Sequence, residues 1–417
     1  MAPTSQKVLI VGGGPAGATS AYWLAQAGFH ITVAERSTDK FAYGQGIDVT
    51  GPAIQVVQKM GVYDQIKSRV TGEAGFAILN DQGNPIAIIG TATNEKGKGL
   101  SLTQEIEIMR GDIAQILADK AKENDRVTYR YGCTISELRQ TDSHVTAVFA
   151  NIAESEDFSF VIGADGLMSR TRKMAFPPNM VEACYKGLDQ YTAFFSLSHQ
   201  PEDIPNARLQ QAVRGRAILI RPTSLASPSK SSCYMIHTGE ASRSLATAHS
   251  VEEQKTLFAE RFQDFPGETG RRVLESMWSA KDFYCAQSAQ IKLPKWSQGR
   301  VALVGDAAYC PSPASGMGTV LAIVGSYVLA GEIAASPHDL QAAFARYERR
   351  LRGFVERAQY IPLGGLLPKI GNPQSRIGVW VFRFVFWLVA WTGVWKLIDV
   401  KQGDGGFVLP DYEFGRS

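Results

Sequence analysis

Few of the markers of specialised protein classes are present in this chain. Cysteine is scarce: Cys133, Cys184, Cys233, Cys285 and Cys310 are odd in number, scattered and never spaced as CxxC. That excludes a disulfide framework and a cysteine zinc site, and it fits a reducing compartment. The six histidines form no HExxH pair, so no metal is expected. Long Lys/Arg runs are missing, and 43 basic against 40 acidic residues leave a net charge of only +3. Nucleic acid is therefore not an expected partner. No GxSxG elbow points to a protein nucleophile, and no internal repeat or low-complexity tract interrupts the sequence. Residues 1–7 lack a charged region followed by a long apolar stretch, which predicts no secretory leader. Met-Ala in place of Met-Gly excludes N-myristoylation. The expected location is the cytoplasm.

What remains is an ordinary globular composition, 45% hydrophobic and 20% charged over 417 residues. Lys7–Val11 reads as a buried strand, followed by a glycine turn, a helix to about Ala27 and a second strand at Ile31–Ala34. Asp81-Gln82-Gly83-Asn84 separates two apolar runs, Phe76–Asn80 and Pro85–Ile89, as in a hairpin. Helical spacing appears at Gly111–Lys122. Strands are expected at Val127–Tyr131, His144–Phe149 and Phe160–Gly163. Between Cys184 and Tyr284 the texture changes, with strand-like runs at Tyr191–Leu197, Arg216–Arg221 and Ser232–Thr238 and a helix at Val251–Phe262. The nucleotide-binding pattern resumes at Arg300–Val304.

The chemistry-bearing motif is Gly12-Gly13-Gly14-Pro15-Ala16-Gly17. Its GxGxxG spacing lies between a strand and a helix. There glycine allows a tight turn, close approach of backbone N–H groups to a pyrophosphate, and close helix–strand packing. Glu35 follows the second strand, where an acid can hold ribose hydroxyls. These features alone fit FAD or NAD. Two further strands end in Gly163-Ala164-Asp165-Gly166 and in Gly305-Asp306-Ala307-Ala308, placing carboxylates at a sheet's carboxyl edge. Pro311-Ser312-Pro313-Ala314-Ser315-Gly316-Met317-Gly318 then leads into a small-residue helix at Thr319–Ile333.

In this order and spacing the motifs resemble the group A FAD-dependent monooxygenases, with the fold of para-hydroxybenzoate hydroxylase. Among their branches the tetracycline-inactivating enzymes look most alike. The resemblance covers about Lys7 to Tyr347. It implies an α/β fold: a Rossmann-like FAD-binding domain of the glutathione-reductase type (GR2-type), an inserted, mainly antiparallel β-sheet substrate domain, and a C-terminal helical segment. The expected boundaries are 1–75, 101–183 and 284–350 for the FAD-binding domain and 76–100 with 184–283 for the substrate domain. Residues 351–417 form the C-terminal helical region.

Carried over by motif, Gly12, Gly14, Pro15, Ala16 and Gly17 would cradle the FAD pyrophosphate. Glu35 would hold the adenosine ribose, with Arg36 beside the adenine. The segment holding Gln45, Gly46 and Asp48 would pass close to the flavin. Arg110 would contact FAD, Asp165 and Gly166 would serve FAD and nicotinamide binding, and Asp306 would bind the ribityl chain. Pro313, Gly316, Met317 and Gly318 would lie against the isoalloxazine ring. The sequence departs from the family at Tyr309, where His is usual, and at Val320, Val324 and Gly325.

The implied reaction starts with NADPH, or NADH, as a transient co-substrate that reduces FAD. Oxygen then binds the reduced flavin as a C4a-hydroperoxide. One oxygen atom goes to a largely apolar substrate by hydroxylation or epoxidation. A polycyclic phenol, a prenylated aromatic or an indole alkaloid would suit an apolar, aromatic sheet. Gln211, Arg214, Arg221, Tyr234 and His237, with Phe194, are the candidates for positioning it. An oxidase or dehydrogenase without oxygen insertion and a non-catalytic FAD-binding protein stay open. A flavin halogenase is set aside, because no Trp-x-Trp-x-Ile-Pro signature occurs. The apolar stretch 377–398 carries Trp380, Trp387, Trp391 and Trp395 on one helical side. It is expected to pack on the core or to touch a membrane surface in preference to spanning a bilayer, where Arg383 would cost about 2.5–3.5 kcal/mol.

Overall fold

The computed structural model describes residues 6–38, 45–90, 106–150, 155–225, 229–248, 250–361, 367–396 and 406–415. Gly44, the 91–100 part of the expected substrate domain, and residues 397 and 398 of the apolar stretch lie outside the described residues.

A six-stranded sheet organises the first half. Its order is Ser297–Gln298, Val301–Leu303, Phe160–Gly163, Lys7–Val11, His30–Glu35, Val127–Tyr131. All pairings are parallel except that of the edge strand Ser297–Gln298. Alternate residues of Lys7–Val11 serve opposite layers, as strand geometry requires. Val8 and Ile10 join the helices Pro15–Gln26, Arg110–Lys122 and Gly318–Ala335. Leu9 and Val11 join a three-stranded sheet, Ile135–Gln140, Val145–Phe149 and Ser155–Phe158. Burial on both faces explains why these parallel strands read as continuous apolar runs.

A seven-stranded sheet forms the second layer system, in the order Tyr284–Ile291, Tyr185–Ser198, Lys230–Thr238, Arg216–Pro222, Asn206–Ala212, Gly75–Leu79, Pro85–Gly90. It is antiparallel except where Asn206–Ala212 meets Gly75–Leu79. Two of its strands carry no apolar alternation. Asn206–Ala212 (NARLQQA) buries Gln210 and Gln211, whose amides bond to loop carbonyls. Tyr284–Ile291 (YCAQSAQI), within the stretch 284–350, pairs with Tyr185–Ser198 at the sheet edge. The helices Val251–Phe262 and Gly267–Ser279 cover one face through Ala193, Phe195, Ile218, Ile220, Cys233 and Met235. Helix Leu340–Ala358 runs through position 350 without a break.

The C-terminal region separates the two placements expected for the apolar stretch. Helix Arg376–Thr392 is not buried against the core: Val379 alone among its described residues is buried, while Trp380 is 63% and Trp391 73% exposed. Gly393, in the left-handed region, ends the helix. Trp395 lies beyond that point, close to Gly90, so only Trp380, Trp387 and Trp391 share the helix side. Among the described residues, the helix long and apolar enough to cross a membrane is Gly318–Ala335, and it is buried in the core.

Residues 406–415 lie along the protein as a strap. Tyr412 donates to Glu332 at 2.7 Å, and the Phe414 ring meets Trp23 at 4.6 Å. A Cβ on Gly331 would fall inside the Tyr412 ring. Gly331→Ala should therefore destabilise the fold by about 1–3 kcal/mol through overpacking. Urea denaturation should show a much smaller cost in a Tyr412→Ala background, where the space is free.

Candidate active site

Three turns leave adjacent parallel strands at one sheet edge. Gly12 sits at φ +102°, and a Cβ there would lie 2.5 Å from the Ala164 carbonyl oxygen. A Cβ on Gly17 would overlap the Gly12 carbonyl, so the helix can start close to its strand only with glycine. Gly14 differs: a Cβ on it would meet nothing within 4 Å. Pro15 opens the helix, and no side chain caps it. Backbone N–H groups at an uncapped helix start beside open space suit a pyrophosphate. Ala16 is gripped from both sides, its carbonyl accepting from Ser326 Oγ at 2.7 Å and its Cβ packing under Gly305.

Glu35 bends back to this loop and accepts from the N–H of Gly13 at 2.7 Å and of Ser37 at 2.9 Å. Arg36 beside it is exposed. Asp165 is satisfied within its own turn by Ser169 (2.5 Å) and by Thr171 (2.9 and 3.0 Å). Gly166, at φ +78°, is open. Arg172, which the sequence did not single out, donates to the carbonyls of Ala307 and Leu167, both at 2.7 Å, tying the Asp-Gly turn to the Gly-Asp turn.

Asp306 is partly buried, and burial raises its carboxyl above the usual range while the Arg110 charge opposes this. Arg110 acts likewise on Tyr284, which burial pushes up to about 12. Arg110 thus faces both groups from the start of its helix. Its backbone N–H donates to the Gln45 carbonyl at 3.0 Å. Gln45 Oε1 accepts from Tyr284 at 2.5 Å, and Gly46 N–H donates to the Tyr234 hydroxyl at 2.9 Å. Gly46–Asp48 pairs antiparallel with Glu107–Met109. Pro313–Ser315 forms a short turn, Gly316 takes φ +64°, Met317 is buried, and Gly318 lies beside Asp306. Gly316 also lies beside Asp48, so the two flavin-side loops meet.

Register sorts the substrate candidates. Leu209, Leu219, Tyr234, Phe194 and Tyr284 align across the sheet on the face opposite the two covering helices. Phe194 stacks on Tyr284 at 4.8 Å and meets Tyr234 edge-on at 5.2 Å. Gln211 and Arg221 share this inner face by strand alternation. Gln211 is committed to the carbonyl of Gly371. Arg221 is held by Glu73 and Glu107. The other two candidates are turned away. Arg214 sits in a turn at φ +64°, 73% exposed and 3.4 Å from Asp264. His237 lies on the helix-covered face, where burial and the charges of Arg261 and Arg216 push it down to about 4. Glu73, Glu107 and Tyr284 are site residues that the sequence reading missed. Only Glu107 left a signal, as an acid between Ile106 and Ile108 just before Arg110.

A family model described as an FAD binding domain matches residues 5–358. The chain belongs to that family. It is 45% identical to "Monooxygenase CTB7" of Cercospora beticola over 100% of this chain and 99% of that protein. It is 30% identical to an FAD-dependent monooxygenase, asL6, of Sarocladium schorii over 97% and 98% of the two chains. Among solved structures, tetracycline destructase Tet(55) matches with a TM-score of 0.79 and 30% identity, covering 99% of this chain and 100% of that one. Klebsiella pneumoniae HpxO with FAD and uric acid has the same fold, with a TM-score of 0.69 at 16% identity over 94% and 95% of the chains. The protein is an FAD-dependent monooxygenase, and the family placement, fold and cofactor expected from the motifs are borne out.

The departure at Tyr309 has a structural counterpart. Its hydroxyl bonds to that of Tyr347 at 3.0 Å and occupies the space a Cβ on Gly325 would need. The monooxygenase should lose FAD when Gly12 becomes Ala. The added Cβ forces the loop off Ala164, and the purified variant should show at least about a tenfold weaker FAD affinity by flavin-fluorescence titration.

Proposed function

We propose that this monooxygenase uses NADPH, or NADH, and O2 to place one oxygen atom on a largely apolar, polycyclic aromatic or alkaloid-like secondary metabolite. The observation that carries this is the inner sheet face. Leu209, Leu219, Ile236, Phe194 and Tyr284 remain half-exposed there. Arg221, the cation on that face, is already neutralised by carboxylates. Such a surface favours a flat, uncharged molecule with few polar handles. The destructases at 28–30% identity are named for tetracycline, itself polycyclic, which supports the same substrate shape.

When bound, FAD supplies electron transfer and oxygen activation. The residues present fit it: open space beside Gly14 and an uncapped helix start suit its pyrophosphate. Glu35 would hold its ribose and Asp306 its ribityl chain. The loops Gln45–Asp48 and Pro313–Gly318 would flank its ring. The protein then has three tasks. Tyr234 and Tyr284 hold the Gln45–Gly46 loop in place by their hydroxyls. The inner sheet face orients the substrate over that loop. Closing these surfaces excludes water from the reacting atoms. A single dinucleotide motif agrees with a nicotinamide co-substrate that visits transiently.

The test supplies purified enzyme with NADPH, isotopically heavy O2 and a panel of polycyclic phenols. Substrate should accelerate NADPH oxidation, and the product should carry one heavy oxygen atom. An Asp306→Ala control should do neither. Stoichiometric hydrogen peroxide with no label in the product would establish the oxidase reading instead.

Helix Arg376–Thr392 supports a second proposal, contact with an anionic membrane surface. Trp380, Phe384, Trp387 and Trp391 form a ladder of rings 5.4–5.9 Å apart on its outer side. Residues 367–396 contain Lys369, Arg376, Arg383 and Lys396 but no carboxylate. Arg383 points inward, donating to Asp81 and to the Gln211 carbonyl at 2.8 Å each, so the outer side is uncharged. A helix with aromatic residues outward and cations at its ends suits the headgroup boundary. The enzyme should float with phosphatidylserine vesicles and release at high salt. A Trp380→Ser, Trp391→Ser double variant should stay behind. Equal flotation of both would overturn the proposal.

A further inference from the structure

The chain enters the flavin-side segment through Tyr309-Cys310-Pro311-Ser312-Pro313. Its two prolines carry no N–H, so this stretch has few donors of its own. Ser312 stands at φ +88° and ψ 152°, a region that is essentially glycine's alone. It is 3% exposed, and its hydroxyl has no hydrogen-bond partner among the described residues. The side chain therefore gives nothing that offsets the backbone strain. The chain beyond takes its direction from this residue. The Ser312 carbonyl accepts from Ser315 twice, from Oγ at 2.9 Å and from N–H at 3.3 Å. Ser315 Oγ in turn accepts from the Met317 N–H at 3.1 Å. The turn Pro313–Ser315 and the start of helix Gly318–Ala335 thus follow from how Ser312 is held.

A non-glycine residue keeps such a conformation only where its surroundings over-determine it. Two buried amides do so here. Gln359, just past helix Leu340–Ala358, donates from Nε2 to the carbonyls of Ile291 at 2.7 Å and of Tyr309 and Cys310 at 3.2 Å each. Three carbonyls around one end of the amide identify that end as the NH2 group. Gln290 donates from Nε2 to the Pro311 carbonyl at 3.0 Å and to the Gln359 carbonyl at 2.8 Å. Both glutamines are buried. Three consecutive carbonyls, Tyr309 to Pro311, are therefore held by side chains from two elements distant in sequence. For Tyr309 and Pro311 these amides are the only donors among the described residues. Gln290 belongs to strand Tyr284–Ile291, whose first residue holds Gln45. One strand thus reaches both flavin-side loops, Gln45 from its start and Pro311 from its end.

We propose that Gln359 and Gln290 are positioning residues for the cofactor. Their amides fix Tyr309–Pro311, so that Ser312 keeps its strained conformation and Pro313–Gly318 keeps the shape that seats the flavin ring. This rests on the reading that Pro313–Gly318 flanks that ring, and it is independent of which substrate or nicotinamide is used.

Gln359→Leu keeps most of the volume and removes the donor. The FAD-loaded variant should melt at a lower temperature than wild type. On dilution it should release FAD with about a tenfold higher dissociation constant, read by flavin fluorescence, and its absorption bands should shift toward those of free FAD. Gln290→Leu should do the same to a smaller extent. Ser312→Gly decides the matter, because glycine takes φ +88° without strain and no hydrogen bond of the hydroxyl is lost. Added to either glutamine variant, it should return FAD affinity and band shape to near wild type. The lowered melting temperature should stay, since the carbonyls still lack their donors. Unchanged affinity and bands in both glutamine variants overturn the proposal. So does an affinity loss that Ser312→Gly leaves in place, the result of a merely structural role. A glutamine variant that does not fold alone is read with Ser312→Gly added, and failure to bind FAD there overturns the proposal too. Ser315→Ala, which loosens the turn itself, tests the reading beneath. Silent flavin bands in Ser315→Ala would remove the segment from the ring. A shift there with silent glutamine variants sinks the positioning role alone.

Discussion

Close backbone contact between three turns at one sheet edge is the constraint on which the rest of the structure depends. The turns after Lys7–Val11, Phe160–Gly163 and Val301–Leu303 all leave neighbouring parallel strands at their carboxyl ends. Gly12 abuts Ala164, and Gly305 packs on Ala16. A side chain at Gly12 would pry apart two strands that hold the core between them. The same closeness gathers Glu35, Asp165 and Asp306 along one sheet edge without any long-range recognition beyond the sheet order. Arg172 and Ser326 then lock the turns to one another through backbone carbonyls. The site is precise because its parts are anchored in the fold's most buried layer.

What the sequence made legible follows from this. Strands buried on both faces must be apolar throughout, and the glycine turns have fixed spacing, so the first sheet and the cofactor cleft could be read directly. The seven-stranded sheet was harder. Asn206–Ala212 and Tyr284–Ile291 spend buried positions on amides and small residues that bond to loop carbonyls, and no hydropathy period marks them. Choosing inner-face residues was harder still. A strand's side chains alternate, so Tyr234 and His237 can be separated only once the register with Arg216–Pro222 is known. Arg214 was misleading for another reason: it belongs to a tight turn, where its side chain leaves the sheet. The Glu73–Glu107–Arg221 cluster joins three segments far apart in sequence, and pattern within any one of them is almost silent.

The family departures show compensation at work. A histidine replaced by Tyr309 adds volume at the centre of the cofactor-binding layer. Gly325 removes the side chain that would otherwise occupy the same space, and Tyr347 receives the new hydroxyl. Trp296 completes the packing at 4.6 Å from the Tyr309 ring. Tyr309 and Gly325, which stood out as separate anomalies, are therefore one volume-conserving change. Tyr309 is buried in the core, so the change repacks the support of the Gly-Asp turn.

Arg383 is a charge whose meaning reversed between sequence and structure. In an apolar run it looked like a penalty against spanning a bilayer. In the fold it reaches inward, and Asp81 with the Gln211 carbonyl satisfies it. The hairpin turn and the strand it binds belong to the sheet whose inner face would receive substrate. One side of the helix is thus pinned to the substrate domain by polar bonds, and the other carries only rings and aliphatic groups. A soluble enzyme gains nothing in folding from leaving those rings in water, since each exposed aromatic forfeits burial energy. An apolar substrate that partitions into lipid would make such a face useful, because an enzyme held at the bilayer surface meets that substrate where it is concentrated. On the two proposals together, the helix and the inner sheet face would answer the same chemical property of one molecule.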